Sequence, residues 1–317
     1  MPITQINLET GATTELAHDA PKPTAANTIV WLDVSTPTED DLNWLARTYN
    51  FHPLAIEDCR HFEQRAKVDA FEGYLFLSVD AVTRHDGELH AHEMETFLGS
   101  DYLITVHRDP IAALDTMRTR CIADNRTGAY RPDFLFYVIV DQMVDAIFPL
   151  LDGMEDEIDD LEDQVLDKAT RETLHHLFVL KRQLVDLRKI VGPMRDAMDV
   201  LADTRYEIID PRTALYFRDV YDHLVRIYDL IETSRDLLSG ALDAYLSTVS
   251  NRLSDIMKRL TLFTTIFMPI SFLVGFGGMN FVQLIPFDSP IALGIMLLLI
   301  ALFPTVMLIY YRRSGWI

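Results

Sequence analysis

The chain has 317 residues, of which 49% are hydrophobic and 24% are charged, and its formal net charge is −20. This acidity excludes the basic surface that nucleic acid binding needs, and two cysteines are too few for a disulfide scaffold. Residues 251–317 carry +3, so residues 1–250 carry −23, a charge that attracts cations but that solubility explains equally well.

The first third of the sequence predicts an α/β domain over 26–130. Residues 1–25 are polar, lack the apolar stretch of a signal peptide and are expected to form a flexible arm. Helices are expected to start at 37–41, where acidic residues occupy a first turn, and to cover 111–123. Strands rich in β-branched and aromatic residues are expected at 28–33, 67–71, 74–81, 93–98 and 102–107.

After Pro132 the pattern is helical throughout. Helices over 133–167 and 172–203 are expected to form a helical hairpin within 131–210. A third helix begins after Pro211 and meets no proline before Pro269, so we expect it to run to Gly278. Its 68 residues would span roughly 100 Å, which predicts a stalk over 211–259 that continues into a membrane.

Two uncharged runs, 260–278 and 291–311, predict a transmembrane helical hairpin. Each is long enough to cross a hydrocarbon core of ~30 Å at ~1.5 Å per residue. A buried helix pair in a globular protein is the alternative, which runs of this length do not favour. The whole chain is thus predicted to be an α+β membrane protein.

Charged residues beside the two runs predict the orientation. Lys258 and Arg259 precede the first run, a basic tail at 312–317 follows the second, and the loop 279–290 carries only Asp288. Because basic flanks stay on the cytoplasmic side, we expect both termini in the cytoplasm and a multi-pass protein of the inner membrane, in contact with lipid.

One face of the first run carries a seam with a period of 3.5 residues. The seam comprises Met257, Leu260, Thr264, Met268, Ser271, Gly275 and Gly278. Such a period is typical of a helix that packs along copies of itself. It also suits a narrow water path, in which Thr264 and Ser271 bind water around a cation and Met257 forms part of an apolar gate. Since two helices cannot enclose a path, a channel requires an oligomer with this helix innermost.

The turn after the seam offers neutral oxygen atoms. Gly278 and Met279 contribute backbone carbonyls, and Asn280 adds an amide oxygen. A ring of such oxygens suits the outer waters of Mg²⁺, which is small, octahedral and reluctant to lose its water.

These residues resemble the CorA family of magnesium transporters. The resemblance is carried by 257–281, with the sequence TIFMP at 265–269 and GMNF at 278–281. Similar stretches extend it over about 28–317, and they lie at 52–58, 64–68, 216–223, 245–251 and 312–317.

The resemblance implies a funnel-shaped homopentamer that passes Mg²⁺, Co²⁺ and Ni²⁺ into the cytoplasm and closes when internal Mg²⁺ is high. It implies no cofactor, only Mg²⁺ as substrate and regulatory ligand.

By resemblance, the selectivity filter is Gly278, Met279 and Asn280, and the pore constrictions are Met257, Leu260 and Met268. Asp243 would form an acidic ring in the vestibule, and Asp219 an intersubunit regulatory metal site. The acidic partner of Asp219 is expected among Asp80, Asp86, Glu88 and Glu93.

The sequence departs from the family pattern at the outer turn. Gly277 stands where a tyrosine is usual, and the loop lacks the Met-Pro-Glu of many members, although Asp288 could attract cations instead. Met279 favours magnesium over the zinc-transporting branch.

Two other functions remain possible from the sequence: a zinc or other transition-metal transporter on the same scaffold, and a membrane-anchored cation sensor that conducts nothing. An enzyme is not expected, because no phosphate-binding glycine loop and no nucleophile motif is present. His90, His92 and Glu93 could suggest a transition-metal cluster, but a solvated hairpin is the expected reading.

Overall fold

The computed structural model describes residues 3–8, 12–16, 29–62, 64–123, 131–203, 205–278 and 290–316. The chain forms two compact units. The first unit comprises Met1–Gln164 and Thr170–Leu242, and the second comprises Val165–Ala169 and Asp243–Ile317.

A seven-stranded mixed sheet is the centre of the first unit. Its strands are β1 Ile3–Asn7, β2 Thr13–Leu16, β3 Val30–Ser35, β4 Lys67–Phe71, β5 Tyr74–His85, β6 Glu88–Gly99 and β7 Tyr102–His107. The strand order is β2-β1-β3-β7-β6-β5-β4, and only β3 and β7 are parallel neighbours. β5 and β6 are longer than the sequence predicted and turn at Asp86 and Gly87, whose φ angles of 51° and 78° suit a tight hairpin.

The expected flexible arm at 1–25 instead contains two strands. β1 pairs antiparallel with β3, where Ile6 lies opposite Trp31, and with β2 on its other side. Ile6 and Leu8 are buried, whereas the first three residues of β2 are exposed and only Leu16, at its end, packs against the core. A strand that buries only one face needs an apolar residue only at every second position, so its composition remains polar.

Two helices cover one face of the sheet, α1 Glu39–Tyr49 and α2 Pro53–His61. α1 begins with a capping box between Thr38 and Asp41, as its acidic first turn suggested. The sequence reading missed α2, which starts with Pro53 at its first position. Phe51, between the helices, stacks on Phe97 of the sheet at 3.9 Å between ring centroids.

Four further helices follow: α3 Ala112–Ala123, α4 Pro132–Asp145, α5 Ile147–Lys168 and α6 Arg171–Ala202. They belong to the first unit except for the end of α5 from Val165, and the start of a fifth helix completes this unit. The single helix expected at 133–167 is divided at Ala146. Pro149 explains the division, because it has no N–H to donate to the carbonyl of Asp145 four residues earlier.

The two last helices are α7 Pro211–Gly277, of 67 residues, and α8 Pro290–Arg313, of 24. Along its first half, α7 buries one face with spacings of three and four residues. After Thr213 and Ala214 in the first turn, the buried residues are Phe217, Val220, Leu224, Ile227, Ile231, Ser234, Leu238, Ala241 and Tyr245. After Tyr245 no residue of α7 is buried as far as Phe276.

Candidate functional site

Three described helical stretches are long and apolar enough to cross a membrane: Pro132–Lys168, Pro211–Phe276 and Gly294–Arg313. Within the most apolar 18-residue segment of each stretch, 44% of the residues are buried in the first stretch, 0% in the second and 6% in the third. The first stretch, which the sequence reading did not treat as a span, supplies buried residues such as Phe136 and Ile139 to the core of the first unit. In the other two stretches the most apolar residues are left almost wholly uncovered by the described chain, as expected of segments that cross a membrane.

Every described member of the predicted seam is exposed. Met257, Leu260 and Met268 are 53%, 58% and 70% exposed, and the smaller seam residues Thr264 and Ser271 are exposed as well. None of the residues that the structure describes buries this face of α7. It is therefore free to face a neighbouring copy, lipid or water.

The hydroxyl of Thr264 is hydrogen-bonded to the backbone of its own helix, which allows a polar side chain in an apolar segment. Its hydroxyl donates to the carbonyl of Leu260 at 2.9 Å, so the donor is satisfied within the helix. The oxygen still has lone pairs that accept hydrogen bonds from water. A ring of such oxygens would contact the hydration shell of a cation without adding charge to the path.

Upstream of the seam, a column of aspartates that the sequence reading did not recognise follows the same seven-residue interval. Asp222, Asp229, Asp236 and Asp243 are all exposed, and the interval continues through Ser250 to Met257. Asp243 lies two residues from both Ala241 and Tyr245, which places it about 160–200° around the axis from the buried face. The signal was available in the sequence as a repeat of one residue type at heptad spacing.

The predicted selectivity filter is described only in part. α7 ends at Gly277, and Gly278 is exposed, with its N–H donating to the carbonyl of Val274 at 2.9 Å. Met279, Asn280 and Asp288 lie outside the described residues.

Asp219, the predicted regulatory residue, is exposed on α7 and lies near the acidic side chain of Asp141 on α4. Burial and the nearby carboxylate of Asp145 raise the pKa of Asp141, and Asp219 adds to this effect. The pKa of Tyr137 is raised to about 12 by burial and by the same carboxylates. Among the described residues of one chain, Asp141 is thus a carboxyl group that Asp219 influences. The partner expected across a subunit interface stays a prediction.

Those four residues occupy the β5–β6 hairpin. Asp86 and Glu88 lie at its tip, whereas Asp80 pairs with Glu93 across the two strands. Burial, with the repulsion of Glu93, raises the pKa of Asp80 to about 7. His92 of the same hairpin contacts Thr83 at 2.7 Å and Asp109 at 3.3 Å, so it does not form the three-residue cluster considered from sequence.

One buried Asp–His pair invites comparison with hydrolytic enzymes. His107 Nε2 lies 3.2 Å from Asp33 Oδ1, and His107 Nδ1 lies 2.6 Å from the carbonyl of Asp109. Both ring nitrogens face acceptors, so the imidazole satisfies both only as a cation and has no free nitrogen to act as a base. The pair is therefore a structural element of the sheet.

Comparison with known proteins decides which family this architecture represents. A family model described as "CorA-like Mg2+ transporter protein" matches residues 26–313. The chain belongs to this family. It is 36% identical over 299 residues to the cobalt/magnesium transport protein CorA of Thermotoga maritima, covering 90% of this chain and 85% of that protein. It is 32% identical over 286 residues to the putative metal ion transporter YfjQ of Bacillus subtilis, covering 90% and 89%.

A solved structure shares the fold along the whole chain. The complete CorA magnesium transporter of Methanocaldococcus jannaschii superposes with a TM-score of 0.86 and 22% identity, over 100% of this chain and 99% of that one. The predicted order of an N-terminal α/β domain, a long helix and C-terminal helices is confirmed, as is the resemblance to CorA. The protein thus belongs to a family of membrane transporters for divalent cations, not to a class of enzymes.

Proposed function

We propose that the protein is a homopentameric channel of the inner membrane that admits hydrated Mg²⁺, and also Co²⁺ and Ni²⁺, to the cytoplasm. The supporting observation is the exposed seam of α7, an apolar helix that carries Thr264 and Ser271 on one continuous face. Lipid gains nothing from hydroxyl groups, whereas symmetry-related copies around water would use them. The aspartate column that ends at Asp243 would supply the cytoplasmic side with negative charge.

The membrane potential is sufficient to drive uptake. A divalent cation that crosses 100 mV gains roughly 4–5 kcal/mol, so movement toward a negative cytoplasm requires no ATP. Gly278, Met279 and Asn280 would hold the ion through its water on the outer side, and Asp288 would attract it. Neutral oxygens bind a hydrated ion weakly enough for release.

Intracellular Mg²⁺ would close the channel through Asp219. Carboxylates that repel one another are held together when Mg²⁺ bridges them, and they separate when Mg²⁺ is depleted. Asp219 already influences Asp141, so added negative charge from an adjacent subunit would increase the demand for a cation. The Asp219→Asn variant is expected to weaken the inhibition of influx by internal Mg²⁺. An unchanged response to internal Mg²⁺ would remove Asp219 from this role.

Flux into proteoliposomes tests the central proposal. Purified protein should admit Mg²⁺ when the interior is negative, and hexaammine cobalt, a mimic of hydrated Mg²⁺, should block entry. Asn280→Ala should reduce this influx, whereas the control Asn251→Ala, on an exposed position of α7, should not. Normal assembly with unaltered flux in Asn280→Ala would favour a sensor that does not conduct.

Competition distinguishes the proposed ion from the zinc alternative. Mg²⁺ influx should be reduced by added Co²⁺ or Ni²⁺ and should persist in the absence of any proton gradient. Transport of Zn²⁺ in preference to Mg²⁺, coupled to protons, would support the transition-metal alternative instead.

A further inference from the structure

The chain turns back on the end of α8 at Gly315, whose φ angle of 71° favours glycine. The N–H of Trp316 donates to the carbonyl of Tyr311 at 2.9 Å, and the two rings lie 5.4 Å apart between centroids. This is the pattern of a Schellman cap, in which the residue after the glycine packs on the last turn of the helix. The cap holds the indole of Trp316 against α8. Because Trp and Tyr concentrate at the lipid headgroups, we expect this end of α8 to lie at that level.

A cluster of four basic residues lies at the same level of the second unit. Lys258 of α7 donates to the carbonyl of Gly315 at 3.4 Å, so the α7 pair Lys258 and Arg259 lies close to the α8 pair Arg312 and Arg313. Lys258 is half-buried, and the three arginines are exposed. These four residues are called the basic cluster below.

The positive charge of the basic cluster is not balanced by nearby acidic groups. In the part of the chain that the structure describes, none of the four side chains forms an ion pair with a carboxylate. Asp255, one turn before Lys258, is the only acidic residue described after position 250. The carbonyls at the end of α8 carry only about half a negative charge together. Four like charges on two neighbouring helix ends repel one another, and an anion between them would remove that repulsion.

We propose that the basic cluster binds the phosphate of an anionic phospholipid, such as phosphatidylglycerol, at the membrane surface that α7 enters. Guanidinium groups offer paired N–H donors to phosphate oxygens. The acyl chains would lie on the apolar surface that α7 and α8 leave uncovered, an interaction that no soluble phosphate compound gains. The lipid would hold the ends of the two helices together. This inference rests on the membrane assignment of α7 and α8 and goes beyond the proposed conduction of ions.

Quenching of Trp316 fluorescence by brominated lipid tests the proposal on the full-length protein in vesicles. Trp316 is a suitable reporter, because the other two tryptophans, Trp31 and Trp44, are buried in the first unit. The bromine is placed either on phosphatidylglycerol or on phosphatidylcholine in otherwise identical mixed vesicles. At low ionic strength the wild type should prefer phosphatidylglycerol about five- to 25-fold, as expected of one or two basic contacts, and less at high ionic strength. Equal quenching by the two lipids would overturn the proposal.

Paired substitutions show whether the cluster carries the preference. Arg312→Gln with Arg313→Gln should reduce it toward equality, whereas Arg312→Lys with Arg313→Lys should keep most of it, because lysine retains the charge. The matched control, Arg182→Gln with Arg205→Gln, removes the same charge from exposed positions of the first unit and should leave the preference unchanged. An equal loss in this control would mean that net charge alone attracts the lipid, which contradicts the proposal.

Inorganic phosphate distinguishes a lipid site from a site for soluble anions. At equal ionic strength, sodium phosphate should reduce the preference for phosphatidylglycerol no more than sodium chloride does, and a larger reduction would overturn the assignment to lipid. Mg²⁺ influx measured on the same vesicles separates this question from the proposed function. An absent flux in the wild type would refute the channel without affecting the quenching result, and equal quenching by the two lipids would leave the channel standing.

Discussion

Asp33 and His107 lie on β3 and β7, the two parallel neighbours in the sheet, with Asp33 Oδ1 3.2 Å from His107 Nε2. Both side chains are almost fully buried. Burial alone would raise the pKa of Asp33, but His107, Thr105 and Arg118 more than offset it and lower the pKa. Burial likewise opposes the charged form of His107, yet Asp33 raises its pKa. The pair is therefore charged inside the fold.

The Asp33–His107 pair predicts how stability depends on pH. The contribution of Asp33 is present above about pH 4 and is lost as the pH falls below it, whereas that of His107 is present below about pH 6.5 and is lost at higher pH. We expect the pair to stabilise the protein most between about pH 4 and 6.5. His107→Gln should lower the free energy of unfolding by about 1–3 kcal/mol at pH 6 and by less at pH 9. Thermal unfolding across this range measures the effect, and a loss that grows with pH would contradict it.

The contribution of Glu95 to stability should depend on pH in the opposite way from that of Asp33. It is fully buried, and burial together with Glu93 raises its pKa well above the ordinary value, although Ser78 works against this. A carboxyl group with a raised pKa must lose its proton on unfolding, so stability falls as the pH rises above about 4.5. Glu95→Gln should therefore raise the free energy of unfolding at pH 8 by about 1–3 kcal/mol and change it little at pH 4.5. Glu88→Gln, at an exposed position of the same strand, should have no such effect.

Thr264 and Thr261 provide a matched test of the seam. Both hydroxyls donate to the carbonyl four residues earlier, at 2.9 and 2.8 Å, and both residues are exposed, but only Thr264 lies on the seam. Thr264→Val removes an oxygen without changing the shape of the side chain. It should lower Mg²⁺ influx about five- to tenfold, equal to ~1–1.4 kcal/mol. If Thr261→Val reduced the influx as much, the seam would have no special role.

The aspartate column should act through its charge. Asp236→Asn is expected to raise the Mg²⁺ concentration at half-maximal influx about two- to fivefold at low ionic strength, and less at high ionic strength, because salt screens exposed charges. Asp255 provides the control, since it is exposed on α7 two residues before Met257 and so lies about 200° away from the column. A similar effect in Asp255→Asn would mean that the charge of the stalk as a whole is sufficient.

Much of the fold could be predicted because its elements have strong periodic patterns. The parallel strand at 102–107, the helix from Pro211 and the two apolar spans follow directly from residue type and spacing. The missed elements have weak patterns of their own. Among the residues of β1 whose burial is described, only Ile6 is buried, and α2 is a short helix held in place by its contacts with the sheet through Ile56 and Cys59. Tertiary packing, rather than local preference, decides such segments.

The candidate sites also separate into those that a local sequence pattern predicts and those that only tertiary packing reveals. The seam of α7 could be predicted, because helical spacing within one segment determines which residues share a face. The proximity of Asp219 to Asp141 could not, since nothing in the sequence indicates that α4 and α7 face one another at these positions. The aspartate column is an intermediate case, in which the repeat was visible but only the buried face ending at Tyr245 shows on which side of the helix it lies.

The end of internal packing at Tyr245 has a practical consequence for anyone who purifies this protein. Beyond that residue, no residue of α7 is buried within the chain as far as Phe276, whereas the N-terminal sheet and helices have a core of their own. A harsh detergent could separate the membrane helices from their neighbours and leave the water-soluble part intact. The helical circular dichroism of such a preparation would remain normal after activity had been lost, so only a functional readout can certify the sample.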